Sequence, residues 1–431
     1  MNPLLAKVHR NLTLRCLRRL LDGEAGGAHA YYNPVPSRLL YVAASCLPYH
    51  ISGYTTRTHE ILSALKAFGT DLRVLTRAGY PWDRIDRLSE PVRESTLVDA
   101  VLYEHERQPC NNCFTAVYAA RAAKIIARYA RRHRVARIHA ASNHVNALPA
   151  LIAARRLGVP FQYEIRGLWE LTRASRMPEF ENSHNFHLGL ELEGLVAAHA
   201  DRVFVISEQL DLYAQRQWGI PAGRLHLLPN CVDGERIKAN PAERIIPGTI
   251  GYAGSLICYE GLDTLIEAAG QLIRQGKDVR LRIIGDGEAR AGLETLSNSL
   301  GLQNHIRFWG KLTPEEARVR LCGCSLVCIP RKPFAVCKLV PPIKLAEALA
   351  LGKPVVVPDL AVFRDELGPR PAAWFFRAGD AESLAEALAQ ALENPARLEE
   401  AGAQGRQWIL GRRQWRHFMD IMTQPVESGD I

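Results

Sequence analysis

Between Cys328 and Val357 the chain passes from an apolar segment through a cationic loop into the helix formers of Ile343–Leu351, closes at Gly352, and runs directly into Val355-Val356-Val357. A run of β-branched residues with no polar alternation suits a strand buried on both faces, which belongs to a parallel sheet covered by helices. The same rhythm recurs along the chain. Strands are predicted over 38–45, 71–76, 135–140, 160–165, 203–206, 224–228, 249–253, 281–284, 305–308 and 326–329. Helices fill the intervals and stop at glycines such as Gly69 and Gly158. With 431 residues, enough for two cores, the pattern predicts an α/β chain of two doubly wound Rossmann-like domains facing each other across a cleft. The expected divisions are a basic leader (1–36), a first domain (37–240), a second domain (241–405) and a closing helix crossing back to the first (406–431). The polar segment from Asp233 to Pro247 serves as linker.

The loop before the Ile343–Leu351 helix carries Arg331, Lys332 and Lys338, and Lys344 sits in the helix's first turn. A helix N-terminus attracts anions through unpaired N–H groups, and a lysine beside it adds a full charge. This is a place to hold a diphosphate. Glu347 follows Lys344 on the same face, where a carboxylate accepts hydrogen bonds from sugar hydroxyls. A plain ion pair between Lys344 and Glu347 is the competing reading.

The segment Pro342-Ile343-Lys344-Leu345-Ala346-Glu347-Ala348-Leu349-Ala350-Leu351-Gly352-Lys353-Pro354-Val355-Val356 resembles the family 4 glycosyltransferases of the GT-B fold, which carry P-x-K-x-x-E-A-x-A-x-G-K-P-V-V there. The similarity extends through Gly53, Tyr54, Arg57, Thr58 and His59 and the loop Thr76–Asp83, as in a bacterial subgroup associated with surface polysaccharide assembly. It covers roughly 38–422. The resemblance implies retaining transfer of a sugar from a nucleotide-diphosphate donor to a glycan or lipid-linked acceptor hydroxyl, with no cofactor and no metal. Many members place a second glutamate where this chain has Leu339, which bears on the sugar transferred. They also supply an arginine and a lysine near Ser255 and Glu260, so here the diphosphate charge falls to Arg331 and Lys344.

Other candidates stand at the carboxyl ends of predicted strands, the usual ligand crevice of an open α/β sheet. Donor contacts are assigned to Gly53, Gly254, Ser255, Gly285, Asp286 and Glu347. Glu164-Ile165-Arg166-Gly167-Leu168-Trp169-Glu170 puts carboxylates, a guanidinium and an indole at one strand end, costly to bury unless paired. Glu164, Arg166, Trp169 and Glu170, with Arg57, form the expected acceptor side. By the resemblance a histidine near the preceding strand contacts the donor sugar. Both His139 and His144 qualify, and His144 is preferred because it lies in the loop beyond the strand.

The formal charge of +9 calls for an anionic partner, and with no aromatic-interleaved basic stripe nucleic acid ranks last. No run of about 18 apolar residues spans a membrane. The opening segment lacks the layout of a signal peptide, so a cytoplasmic chain with reduced thiols is expected. Leu14, Leu17 and Leu21 share a helical face flanked by Arg15, Arg18 and Arg19, a face suited either to the inner surface of an anionic membrane or to the protein itself. The 10 cysteines lack zinc spacing and read as small hydrophobes. Two alternatives of the same architecture are a catalytically silent glycan-binding scaffold and, with a poorer motif fit, a sugar-nucleotide epimerase.

Overall fold

A computed structural model describes residues 3–25, 32–87, 91–234, 237, 244–369 and 372–425. Most of the expected linker at 233–247 lies outside the described residues. The chain divides into two compact units, one formed by residues up to Ala174, Pro178–Leu228 and the segment from Trp415 on, the other by Ser175–Met177 and Pro229–Gln414.

The first unit is built on an eight-stranded sheet. Its strands are β1 (Val35–Ala43), β2 (Asp71–Thr76), β3 (Ser95–Val98), β4 (Val101–Glu104), β5 (Val135–Ala141), β6 (Phe161–Ile165), β7 (Arg202–Val205) and β8 (Leu225–Leu227). They lie in the order β3-β4-β2-β1-β5-β6-β7-β8, parallel except for the β3–β4 pair. Leu39 to Ala43 are buried, as an unbroken apolar run requires, and all of β6 is buried although it carries Gln162 and Glu164. The helix Gly53–Ala67 starts at a capping box between Ser52 and Thr55, and the helix His144–Leu157 closes at Gly158 with φ of 64°. Strand order reverses between β1 and β5, which opens a crevice beyond their carboxyl ends.

The second unit repeats the plan with six parallel strands: β9 (Ile246–Ala253), β10 (Arg280–Ile284), β11 (Ile306–Phe308), β12 (Cys324–Cys328), β13 (Val355–Pro358) and β14 (Ala373–Phe376). Their order is β11-β10-β9-β12-β13-β14, so the reversal falls between β9 and β12. Separate apolar clusters cover its two faces, one centred on Leu265, Ile283 and Leu388, the other on Leu349, Val357 and Phe363.

Some elements differ from expectation. The β3–β4 hairpin turns through Asp99 and Ala100, both at positive φ (45° and 60°), where the usual signal is an Asn-Gly or Asp-Gly pair. The helix Pro395–Arg412 belongs to the second unit throughout. Trp408 donates to Glu366 O at 2.9 Å and lies where a Cβ on Gly368 would stand 2.1 Å from its ring. The return to the first unit therefore begins at Trp415, not at 406. Trp415 is buried there, its indole N–H on Glu60 Oε2 at 3.0 Å.

The opening residues form the helix Pro3–Ala25, and Leu14, Leu17 and Leu21 are buried against the helices Thr115–Arg132, His144–Leu157 and His184–His199. That leucine face is covered by protein, so it is not the face open to a membrane. Leu17→Ala should cost about 2–5 kcal/mol in urea unfolding, the scale for an emptied core position. A cost below about 0.5 kcal/mol, as for an exposed site, would contradict this packing.

Candidate active site

Glu164, at the end of β6, is 1% exposed and bonded by side chains from several elements. Arg57 Nε and Nη2 donate to its Oε1 at 3.1 and 2.9 Å, and Arg166 reaches Oε1 through Nε at 2.9 Å and Oε2 through Nη2 at 2.8 Å. The Tyr41 hydroxyl adds a bond to Oε2 at 3.0 Å, and His139 Nε2 lies 3.3 Å from the same oxygen. Burial alone would push this carboxyl up, but the Arg166 and Arg57 guanidiniums hold it well below the usual carboxylate range. Glu164 and Arg57, both expected to face an acceptor, are thus spent on each other. Arg57 also donates to Leu228 O at 2.7 Å and lies over the Trp415 ring at 5.0 Å. His139 is fully buried, stacked on Tyr41 at 4.7 Å.

Around this core the β1/β5 crevice opens as a cavity of about 620 Å³ lined by Ser52, Tyr54, Asn143, Arg166 and Trp169 among others. Arg166 serves both sides: its Nη1 donates to Thr58 Oγ1 at 2.6 Å, and its guanidinium lies 4.5 Å from the Tyr54 ring centroid. Trp169 is 62% exposed, and Gly53 is exposed at the start of its helix. Hydroxyls, amides and aromatic faces in one cavity suit a sugar.

His144 and Glu170 are not on that wall. His144 N–H and Nδ1 meet Glu193 Oε1 at 2.7 and 3.1 Å, and Nδ1 is 3.9 Å from Glu170 Oε1. This geometry sets His144 between two carboxylates in the interior instead of against a sugar. The three side chains are grouped closely enough to share a cation, as a His and two carboxylates do in metal centres. Glu193 went unmarked in the sequence. Its signal was a charge within the apolar run of the helix His184–His199. Gly189 gives Glu170 its room, since a Cβ there would stand 2.1 Å from Oε1.

In the second unit Arg331 follows β12 and Lys344 opens the helix Ile343–Ala350, and Glu260 brings them together. Arg331 Nη2 donates to Glu260 Oε1 at 2.9 Å and Lys344 Nζ to Oε2 at 2.7 Å. Burial would raise the Glu260 carboxyl, but Arg331 and Lys344 hold it at about 2. Lys344 turns to Glu260 and to the Tyr252 hydroxyl at 2.7 Å, not to Glu347. Burial lowers its pKa against the pull of Glu260. Glu260 looked like a departure from the family pattern; its role lies in a partner 71 residues away, invisible to local spacing. Glu347, half-buried one turn on, has its carboxyl pushed up by burial.

Two glycines make this corner. Gly254, with φ of 153°, lies where a Cβ would stand 2.7 Å from Lys344 Nζ, and Gly285, with φ of 137°, lies where one would stand 1.8 Å from Gly254 O. Only a residue without a side chain fits either place. Ser255 and Asp286 are exposed beyond β9 and β10, with Asp286 accepting from Gly287 N–H at 2.8 Å.

Glu164→Ala should cost about 3–5 kcal/mol in urea unfolding, because two buried guanidiniums lose their counter-charge. A cost under about 1 kcal/mol would contradict the network. A second prediction concerns pH. Burial, then the Glu193 charge, pushes the Glu170 carboxyl up to about 7, and the carboxylates raise His144 despite its burial. Both folded pKa values lie above their unfolded ones, so the stability they give is present at low pH and lost as pH rises, for Glu170 from its ordinary range up to about 7. Glu170→Gln should flatten the fall in Tm between about pH 5 and pH 7; an unchanged slope would contradict the assignment.

The profile of "Glycosyl transferase 4-like domain" matches residues 52–231 and that of "Glycosyl transferases group 1" matches residues 235–408. The chain is 22% identical to the 2-deoxystreptamine glucosyltransferase of Streptomyces kanamyceticus over 60% of its own length and 68% of that protein's. It is 24% identical to the GDP-mannose-dependent alpha-(1-6)-phosphatidylinositol monomannoside mannosyltransferase of Mycobacterium tuberculosis over 45% of its length, and spans about half (54%) of that relative. The Anabaena protein HepE, solved with UDP and glucose, superposes with a TM-score of 0.67 at 16% identity, covering 90% of this chain and 98% of HepE, which shows the fold. With both halves matched in order and two doubly wound units in place, the chain belongs to the family 4 glycosyltransferases of the GT-B fold.

Proposed function

We propose that this chain moves a sugar, with retention, from a nucleotide-diphosphate donor to an acceptor hydroxyl in the synthesis of a bacterial surface polysaccharide or glycolipid. One observation carries the reading: at the β9/β12 reversal Glu260 fixes Arg331 and Lys344 within hydrogen-bond distance of a single carboxylate. Two cations against one carboxylate leave a net positive charge where an open α/β sheet binds ligands. The UDP bound in HepE and the sugar transfers in the relatives' names support a nucleotide-sugar donor.

As the bond to the anomeric carbon stretches, positive charge gathers on the sugar and negative charge on the departing diphosphate. Cations already held in place stabilise that charge without reorganising, so they act more on the transition state than on the bound donor. The N-terminus of the helix Ile343–Ala350 adds to them. In this reading these groups take the part that a metal plays elsewhere. Gly254 and Gly285 let the diphosphate approach the backbone, and Glu347 receives the ribose hydroxyls. Arg166, Trp169 and Tyr54 form the acceptor side, with Glu164 and Arg57 as its support.

Lys344→Ala should lower kcat by about 10²–10³, the scale for one lost electrostatic stabiliser, read as release of nucleotide diphosphate with acceptor present. A variant within about threefold of wild type would remove Lys344 from the mechanism. Glu347→Gln should mainly raise the donor KM, and an unchanged KM would argue against its ribose contact. Wild-type protein that releases no nucleotide diphosphate from any donor would favour the silent glycan-binding reading.

A further inference from the structure

We propose that His144, Glu170 and Glu193 form a buried site for a divalent transition-metal ion, with Zn²⁺ as the ion that suits them; it is a structural ion of the first unit and does not depend on the transfer reaction. The first argument is charge. Glu164 and Glu260 each face two cations, and Glu366 faces Arg413. Glu170 and Glu193 are 4% and 0% exposed, yet among the described residues the ion-pair partner of both is the same His144. Two buried carboxylates against one imidazole leave at least one negative charge over, which a protein interior holds only with a proton or a metal ion.

The second is an unused ligand atom. Glu170 Oε2 is buried with no hydrogen-bond partner among the described residues, on the carboxyl whose Oε1 lies 3.9 Å from His144 Nδ1. Glu193, by contrast, is held: Oε1 accepts from His144 N–H at 2.7 Å and Oε2 from the Tyr163 hydroxyl. Bonds of that kind orient a ligating carboxylate.

The third is geometry. One ligand atom from each side chain lies within 4.8 Å of the others, with His144 Nδ1 3.1 Å from Glu193 Oε1 and 3.9 Å from Glu170 Oε1. Ligands about 2.0–2.1 Å from a tetrahedral zinc stand about 3.4 Å apart, between those two distances. The imidazole favours a transition metal over Ca²⁺ or Mg²⁺, which take oxygen. The three residues come from three helices, His144–Leu157, Trp169–Ala174 and His184–His199. Asn143 and Val145 beside His144, and Trp169 beside Glu170, line the sugar-sized cavity. An ion here ties two parts of that wall together from behind, so these three are positioning residues.

The test strips the full chain with EDTA and titrates it with Zn²⁺ by calorimetry and thermal shift at about pH 7.5, where a proton on Glu170 competes least. One equivalent should bind and raise Tm. Glu170→Gln and Glu193→Gln keep the side-chain shape and remove a ligand, and each should weaken binding at least about 10²-fold, with circular dichroism confirming the fold. Cys110 and Cys113 are free thiols close in sequence and reachable by Zn²⁺, so the combined variant Cys110→Ser, Cys113→Ser is the control and should bind as wild type. Co²⁺ in place of Zn²⁺ should show the visible bands of a nitrogen and oxygen site without thiolate absorption. The proposal is overturned by no saturable binding, by binding that both glutamine variants retain, or by binding that the serine variant loses. A Glu170→Gln variant with raised Tm, beside a wild type indifferent to Zn²⁺, would assign the buried charge to a proton and overturn it as well.

Discussion

A buried carboxylate shared between two cations is the constraint on which each unit is built. Glu164 ties the end of β6 to the helix Gly53–Ala67 through Arg57, to β1 through Tyr41, and to the cavity wall through Arg166. Burying three charges is costly and is repaid only by complete hydrogen bonding. Here both carboxylate oxygens have more than one partner, and Arg57 is backed by Leu228 O and the Trp415 ring. The closing segment of the chain is thereby drawn into the same network that shapes the sugar-sized cavity.

Glu260 repeats the device in the second unit, with Arg331 and Lys344 as its cations. Both clusters lie at the carboxyl edge of a parallel sheet where strand order reverses, and both leave one positive charge over. They differ in what surrounds the surplus. In the first unit tyrosine and histidine rings close around it, which makes a rigid support. In the second, Gly254 and Gly285 keep the space beside Lys344 free of side chains, as an anion approaching the backbone requires. One electrostatic arrangement thus serves architecture in one unit and, in the proposed reading, chemistry in the other.

The central strands were legible because strands buried on both faces are written as unbroken apolar runs, as in Leu39–Ala43 of β1 and in β13. The β3–β4 hairpin was not, since its turn places Asp99 and Ala100 where glycine is the usual sign. The importance of Glu164, Arg166 and Glu170 could be read from charges at a strand end. Which of them lines the cavity could not, because their partners come from other elements. The same limit hid Glu260 and Glu193, whose meaning depends on Arg331 and His144 far along the chain. Lys344 was placed correctly beside a helix N-terminus, but its neighbour is Glu260, not Glu347.

The central claim is that Arg331 and Lys344 hold a nucleotide diphosphate. Thermal shift of the wild-type chain and of Lys344→Ala with UDP, GDP and their common sugars tests it most directly, because a ligand at about 100 times its Kd adds about 2.7 kcal/mol of apparent stability. The account predicts stabilisation by one nucleotide series, lost in the variant. Equal stabilisation of both proteins, or none by any nucleotide, would contradict it.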